Sequence, residues 1–338
     1  MLYDKLLNFI SNTFYNFLIE YNNINSIKNK HFEDIYSIDH LKGEILKSGQ
    51  FFDEIIIKYI IENMKYGKKI YIKIDNINIH FEFWDIKKNY KKIAFIFRYM
   101  CFLVYLFNKI KKGNTNIFIY LFNYNGVKLK PKDNIIKSIN VNSGFSYNSQ
   151  VVVYRKEEMI KVLTHELIHT FNIDNHYSEL NTSEFNKIFC VKMPININET
   201  YTDSLACLIN IIMYSILKKP KNLKHEFNTN FKKELNFMIE QSSKIININK
   251  YKIDKNNIIC TIENLEETNG IAYYVLKSII FNDFIKYLNN EGIILKDINR
   301  FGDFIISIIN KNNWKKYINS SKMNNSLRMT ILDIINLI

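Results

Sequence analysis

Apolar residues recur at helical spacing over residues 5 to 20 and 50 to 65. The spacing then changes to alternation in Lys69 to Ile74 and Ile77 to Trp84, on either side of Asp75-Asn76. A period of about 3.6 marks a helix with one buried face, and alternation marks a half-buried strand. These stretches therefore predict two helices and a β-hairpin. Tyr90 to Lys111 predicts a long apolar helix and Asn116 to Phe122 a strand; Val151 to Tyr154 predicts a short edge strand after the turn-like Asn142-Ser143-Gly144. Beyond Asn172 the spacing is helical almost throughout, over 198 to 217, 224 to 244, 269 to 289, 299 to 310 and 323 to 337. The expected fold is α+β, with an N-terminal helical region in 1–66, a mixed sheet lobe in 67–172 and a helical lobe in 173–338. No internal repeat interrupts this order.

The helix that closes the sheet lobe carries the chain's most specific chemistry. At about 100° per residue, Met159, Ile160, Leu163, Leu167 and Phe171 fall on one side, which would face a core. His165 and His169 fall on the other, flanked by Val162 and Ile168, so their face should be partly covered. Glu157 and Glu158 suit the positive end of the helix dipole. The pentapeptide His165-Glu166-Leu167-Ile168-His169 is H-E-x-x-H, and positions i and i+4 lie about 40° apart on a helix. Both imidazoles can then share one Zn²⁺, with Glu166 beside them as a base for a metal-bound water. This is the minimal apparatus of a zinc hydrolase.

A catalytic zinc keeps three protein ligands and one open position, so a third ligand is needed. Asn198-Glu199-Thr200-Tyr201-Thr202-Asp203 places two carboxylates at i and i+4, while Leu205, Leu208, Ile209 and Ile212 lie on a different, core-facing side. H-E-x-x-H followed by N-E-x-x-x-D resembles the gluzincin, or thermolysin-like, zinc metallopeptidases of the zincin superfamily, in a divergent sequence of viral or protist character. The resemblance implies a zincin-like sheet lobe with a backing helix and an active-site helix, then a mostly helical lobe across a cleft. It implies one Zn²⁺ per chain on His165, His169 and Glu199, with Glu166 as general base and Asp203 orienting His165. It also implies an oxyanion donor from the helical lobe, for which Tyr201, His225, Tyr273 and Tyr274 are candidates. In such peptidases the strand before the active helix pairs with extended substrate, the role expected of Val151 to Tyr154.

The spacing departs from the family. Twenty-nine residues lie between His169 and Glu199, against roughly twenty in the gluzincins. An inserted surface excursion between Asn172 and Ile197 accounts for the excess, since that stretch is rich in Asn with Ser178, Ser183 and Pro194. His176 and Asp174 stand as alternative third ligands, although Asn172 and Asn175 occupy the Gly and third His positions of the metzincin pattern.

Composition narrows the alternatives. A chain of 338 residues, 47% hydrophobic with only three prolines and nine glycines, buries one large core or two lobes. Its Asn, Ile and Lys bias is the one expected of AT-rich coding DNA. Asp4, Lys5 and Asn8 break the amphipathic start, so no signal peptide is expected. Ile93 to Phe107 carries Arg98 and is too short to span a bilayer. Cys101, Cys190, Cys207 and Cys260 form no C-x-x-C pair, which predicts free buried thiols, hence an intracellular, cytoplasmic protein, or a virion-associated one if the source is viral. The substrate class implied is a peptide or protein.

A net charge of +13 and pI near 9.2 admit nucleic acid as a partner. The basic runs Lys87-Lys88 with Lys91-Lys92, Lys109 with Lys111-Lys112, and Lys218-Lys219 with Lys221 nevertheless read first as solvated faces. Two other function classes therefore stand beside the peptidase. One is a silent zincin-like scaffold serving as an interaction or virion protein, and the other a basic nucleic-acid-binding protein.

Overall fold

The computed structural model describes residues 4–41, 53–88, 90, 92–113, 115–133, 135–175, 183–191, 194–249, 251–254, 257–259, 268–312 and 324–337. The fold is mixed α+β. The chain forms two compact units: a sheet unit of Leu6–Val127, Asn142–Asn172 and Asp333–Ile338, and a helical unit of Met1–Lys5, Lys128–Val141 and Ile173–Leu332.

The elements of the sheet unit are α1 (Asp4–Glu20, whose first two residues cluster with the helical unit), β1 (Glu33–Ile35), α2 (Glu54–Asn63), β2 (Tyr66–Ile74), β3 (Ile77–Asp85), α3 (Ile93–Ile110), β4 (Asn116–Tyr124), β5 (Gly144–Tyr147), β6 (Gln150–Arg155) and α4 (Met159–Thr170). The six strands form one sheet in the order β1-β2-β3-β4-β6-β5. β2 and β3 form the expected hairpin, antiparallel from Tyr66↔Asp85 to Ile74↔Ile77. Asp75 turns it with φ of 50°, the left-handed backbone that tight hairpin turns require. β3, β4 and β6 are parallel neighbours, so α3 is the crossover helix between β3 and β4.

α3 is buried along nearly its whole length because it lies between the sheet and α1. Phe97 meets Phe81 of β3 at 5.3 Å between ring centroids, and Phe102 meets Phe14 of α1 at 5.1 Å. Each fully buried ring of this kind stabilises the fold by about 1.5–3 kcal/mol.

Val151 to Tyr154 lies inside the sheet and does not form its edge. β6 is flanked by β4 on one side and by β5 on the other, which makes the four-residue β5 the edge strand at this end. Of the turn-like Asn142-Ser143-Gly144, the first two residues lead into that strand without regular structure and Gly144 opens it. The turn proper is Asn148-Ser149, both residues at positive φ, which closes the β5–β6 hairpin.

The helical unit contains α5 (Ile197–Leu217), α6 (Leu223–Ile248), a π-helical turn at Ile271–Leu276, α7 (Lys277–Glu291) and α8 (Ile298–Ile309). α5 is buried on almost every side, with Tyr201 packed between Phe284 and Phe301 at 5.4 and 5.2 Å. A helix over 323 to 337 does not form. Residues 324–333 run as an irregular strap, followed by a short 3₁₀ turn at Ile334–Leu337. Buried side chains satisfy the strap's backbone in place of helical bonds: Lys244 donates to Ser326 O, Lys277 to Met329 O and Asn210 to Leu332 O.

α3 and α5 are each long and apolar enough to cross a membrane, and both are mostly buried within the fold, as core helices are. Cys101 and Cys207 are free and buried. Cys190 is disulfide-bonded, so the expectation of free thiols fails there, and the cysteines give no support to a reducing compartment. Cys260 lies outside the described residues.

Candidate metal centre

α4 follows β6 almost directly, and its apolar side is fully buried at Met159, Leu163 and Leu167. Its other side is enclosed too. His165 and Glu166 are buried and His169 is half-buried. Glu158 sits at the helix N-cap with φ of 61°, and no side-chain bond from it caps the helix. Thr164 and Thr170 turn their hydroxyls onto the carbonyls of Ile160 and Glu166, 2.9 and 2.8 Å away, which leaves the polar edge to the histidines and Glu166.

The two imidazoles converge. Nε2 of His165 and Nε2 of His169 are 3.0 Å apart, with the rings nearly perpendicular at 76°. Two nitrogens held at about 2.0–2.1 Å by a tetrahedral zinc lie roughly 3.3 Å from each other. The donor pair therefore fits a zinc ion with only a small opening of the rings. Both residues present the same nitrogen, which leaves each Nδ1 for an outer hydrogen bond that sets the tautomer.

Glu166 lies against the edge strand. A Cβ built on Gly144 of β5 would stand 3.3 Å from Glu166 Cγ, 2.8 Å from Val162 Cγ1 and 2.7 Å from Val152 O. Only glycine lets β5 approach the polar side of α4 this closely. The edge strand beside Glu166 is β5, and Val151 to Tyr154, expected at the edge, lies one strand further in.

The acidic motif lies at the start of α5, in the helical unit. Asn196 caps the helix by accepting from Asn198 N at 3.0 Å. Asn198 Nδ2 donates to the carbonyls of Asp174 and Asn175, and Thr202 Oγ1 donates to Asp174 Oδ2 at 3.0 Å. Asp174 is thus tied to the first turns of α5. Glu199 is half-buried and Asp203 fully buried, which rules out a solvated acidic helix start. Asp203 Oδ2 accepts from Lys277 Nζ at 2.6 Å, and Lys277 also reaches Met329 O at 3.1 Å. Nearby, the fully buried Glu234 is pushed above its ordinary pKa by burial, which the charge of Lys277 only partly offsets.

Sequence reasoning missed Lys277. Its signal was a lone charge in the apolar run from Ile271 to Phe281.

The four candidate oxyanion donors separate clearly. Tyr201 is buried and its hydroxyl donates to Ile293 O; Tyr274 is buried and donates to Leu327 O. Both hydroxyl protons are committed. His225 stands in the first turn of α6, where Lys218 at the far end of α5 pairs with Glu226 at 2.8 Å. At about 1.5 Å rise per residue, Lys218 is roughly 28 Å along α5 from Glu199. Tyr273 is half-buried, in the π-helical turn whose Ala272 carbonyl accepts from Thr200 beside Glu199. Turns of this type are frequent at functional sites. His176 lies outside the described residues.

No family model matches the chain. Over 115 residues the chain is 28% identical to an uncharacterised protein of Acanthamoeba polyphaga mimivirus. That stretch covers 32% of this chain and 29% of the viral protein, so most of the relative's length has no counterpart in the match.

Proposed function

We propose that the chain is a zinc-dependent metallopeptidase. The ligand set we assign is His165, His169 and Glu199. The observation that carries this reading is the convergence of two imidazole nitrogens to 3.0 Å on a helix whose intervening glutamate is buried under an edge strand. When bound, zinc supplies a Lewis acid for the scissile carbonyl and lowers the pKa of water.

The chain's own residues carry the rest. Glu166 takes the proton of the attacking water and returns it to the leaving amine nitrogen, a role worth about 10²–10⁴ in rate. Asp203 orients His165 and is itself held by Lys277. Tyr273 is the donor we assign to the tetrahedral oxyanion. β5, the last strand at this end of the sheet, is the strand we assign to pairing with extended substrate, by strand addition.

Zinc stoichiometry by elemental analysis of wild type, His165→Ala and Glu199→Ala tests the ligand set. The expected result is one zinc per chain, lost in both variants. A wild type without zinc overturns the assignment. Glu166→Gln then separates an enzyme from a silent scaffold: the variant keeps its zinc and loses hydrolysis of a peptide library. A zinc-loaded wild type that cleaves no member of the library favours the scaffold.

A further inference from the structure

One face of the β2–β3–β4 part of the sheet packs its isoleucines and Phe81 inward, and the other face carries a different set of side chains. Strand register places Tyr71, His80 and Phe118 in one row across the three strands, since Tyr71 pairs with His80 and His80 with Phe118. The next row outward is Lys73, Asn78 and Asn116. Tyr71 is 61% exposed and Phe118 38% exposed, unusual for rings in the middle of a sheet. The rows line an open hollow of about 510 Å³.

The rings are fixed. The His80 ring stands 4.4 Å from Tyr71 and 5.7 Å from Phe118 between centroids. His80 is held from beneath by the buried Glu82, whose Oε1 is 2.7 Å from its Nε2. Glu82 also takes His40 at 3.0 Å and Trp84 Nε1 at 2.9 Å, so the carboxylate that locks the row is itself locked. The outer row presents an amide pair, with Asn78 Nδ2 donating to Asn116 Oδ1 at 3.0 Å. Exposed Lys73 adds positive charge on this face of β2, while Lys69 is paired with Glu33 of β1 at 3.2 Å. Within the three strands the carboxylate on this face is the buried Glu82, and Glu33 of β1 stands at its margin beside Lys69.

We propose that this face is a stacking platform for single-stranded nucleic acid. Bases stack on Tyr71 and Phe118, base edges meet the amides of Asn78 and Asn116, and a phosphate lies against Lys73. Exposed aromatic rings on a rigid sheet, beside an amide pair and Lys73 in a chain of net charge +13, match the chemistry of unpaired bases on a polyanionic backbone. A duplex hides its base faces and has nothing to offer the rings. The site is independent of the zinc centre.

Fluorescence anisotropy with fluorescein-labelled 12-mers of oligouridylate and oligothymidylate, at low and moderate salt, tests the proposal on the full chain. Wild type is expected to bind single strands saturably, with affinity that falls as salt rises. Tyr71→Ala with Phe118→Ala should raise Kd about tenfold or more, whereas Tyr71→Phe should retain binding because the ring remains. Lys73→Gln should weaken binding and reduce the salt slope by about one. Tyr15→Ala, an exposed ring on α1, and Glu166→Gln should leave binding unchanged. Comparing the two oligomers separates RNA from DNA preference. Absence of saturable binding by wild type at low salt overturns the proposal. So does equal affinity in the double alanine variant, which would assign binding to net charge alone, and so does equal affinity for a duplex of the same length.

Discussion

The two units bury their carboxylates in opposite ways. In the sheet unit, Glu82 is buried beneath the outer face of β3, and His80, His40 and Trp84 surround it as donors. Burial alone would raise its pKa, but the hydrogen bonds and the charge of His40 outweigh that and hold it below the ordinary 4.5. In the helical unit, Asp203 faces the ammonium of Lys277, and Glu234 close by is raised by burial. One unit satisfies a buried charge with partners of matched geometry. The other balances buried charges against each other, where each depends on its neighbour. The same division runs through the candidate site: packing positions the histidines of α4, and an ionic and polar network positions the acids of α5.

That contrast predicts unequal sensitivity. Lys277→Met should be the most damaging of the conservative changes, because it leaves Asp203 buried without its cation. The loss should be about 3–5 kcal/mol, measured as a lower urea midpoint. Replacing both partners, Asp203→Leu with Lys277→Met, should recover much of it, since the desolvation of both charges disappears together. If the single variant unfolds at the wild-type midpoint, the helical core does not rest on this pair.

On the other side, Gly144→Ala probes packing. The added methyl meets Val152 O at 2.7 Å and Val162 Cγ1 at 2.8 Å, so β5 must shift away from α4. Overpacking of this kind costs about 1–3 kcal/mol. If β5 and Glu166 act together as proposed, peptide hydrolysis should fall while zinc content stays at the wild-type value. Unchanged turnover would detach β5 from the chemistry.

How much of this was legible in sequence follows from the range of each interaction. The β2–β3 hairpin was readable because alternation on both sides of Asp75-Asn76 is a local signal, and α4 because its apolar stripe and its histidines fall on different faces. β5 was missed because four residues beginning at Gly144 give too short a pattern, and its partner decides whether it is strand or turn. Without β5, β6 looked like an edge. The irregular strap at 324–333 had helical spacing, yet carbonyl partners from Lys244, Lys277 and Asn210 drew its backbone out of a helix. Lys277 and Asp203 are 74 positions apart, and no periodicity announces such a pair. Among the proposed oxyanion donors, sequence offered four equal aromatic or imidazole groups. Position alone singles out Tyr273, which stands in the π-helical turn whose Ala272 carbonyl meets Thr200, next to Glu199.

The smallest expected effect tests the sheet unit's own buried carboxylate. Because the folded pKa of Glu82 lies below its unfolded value of 4.5, its contribution to stability is complete above that value. It is lost as pH falls through the lowered folded pKa, when the protonated acid no longer answers its donors as an anion. Thermal unfolding followed between pH 7 and pH 3 should therefore show a fall in Tm on the acid side of about pH 5. In Glu82→Gln, which keeps the shape but cannot titrate, the curve should start lower at pH 7 and descend less steeply below pH 5. Parallel curves for the two proteins would mean that other carboxylates dominate the acid limb and that the three donors around Glu82 hold its geometry without favouring its charge. The Gln variant should also loosen the ring of His80, so the anisotropy assay on the same protein reports whether the platform depends on the group beneath it.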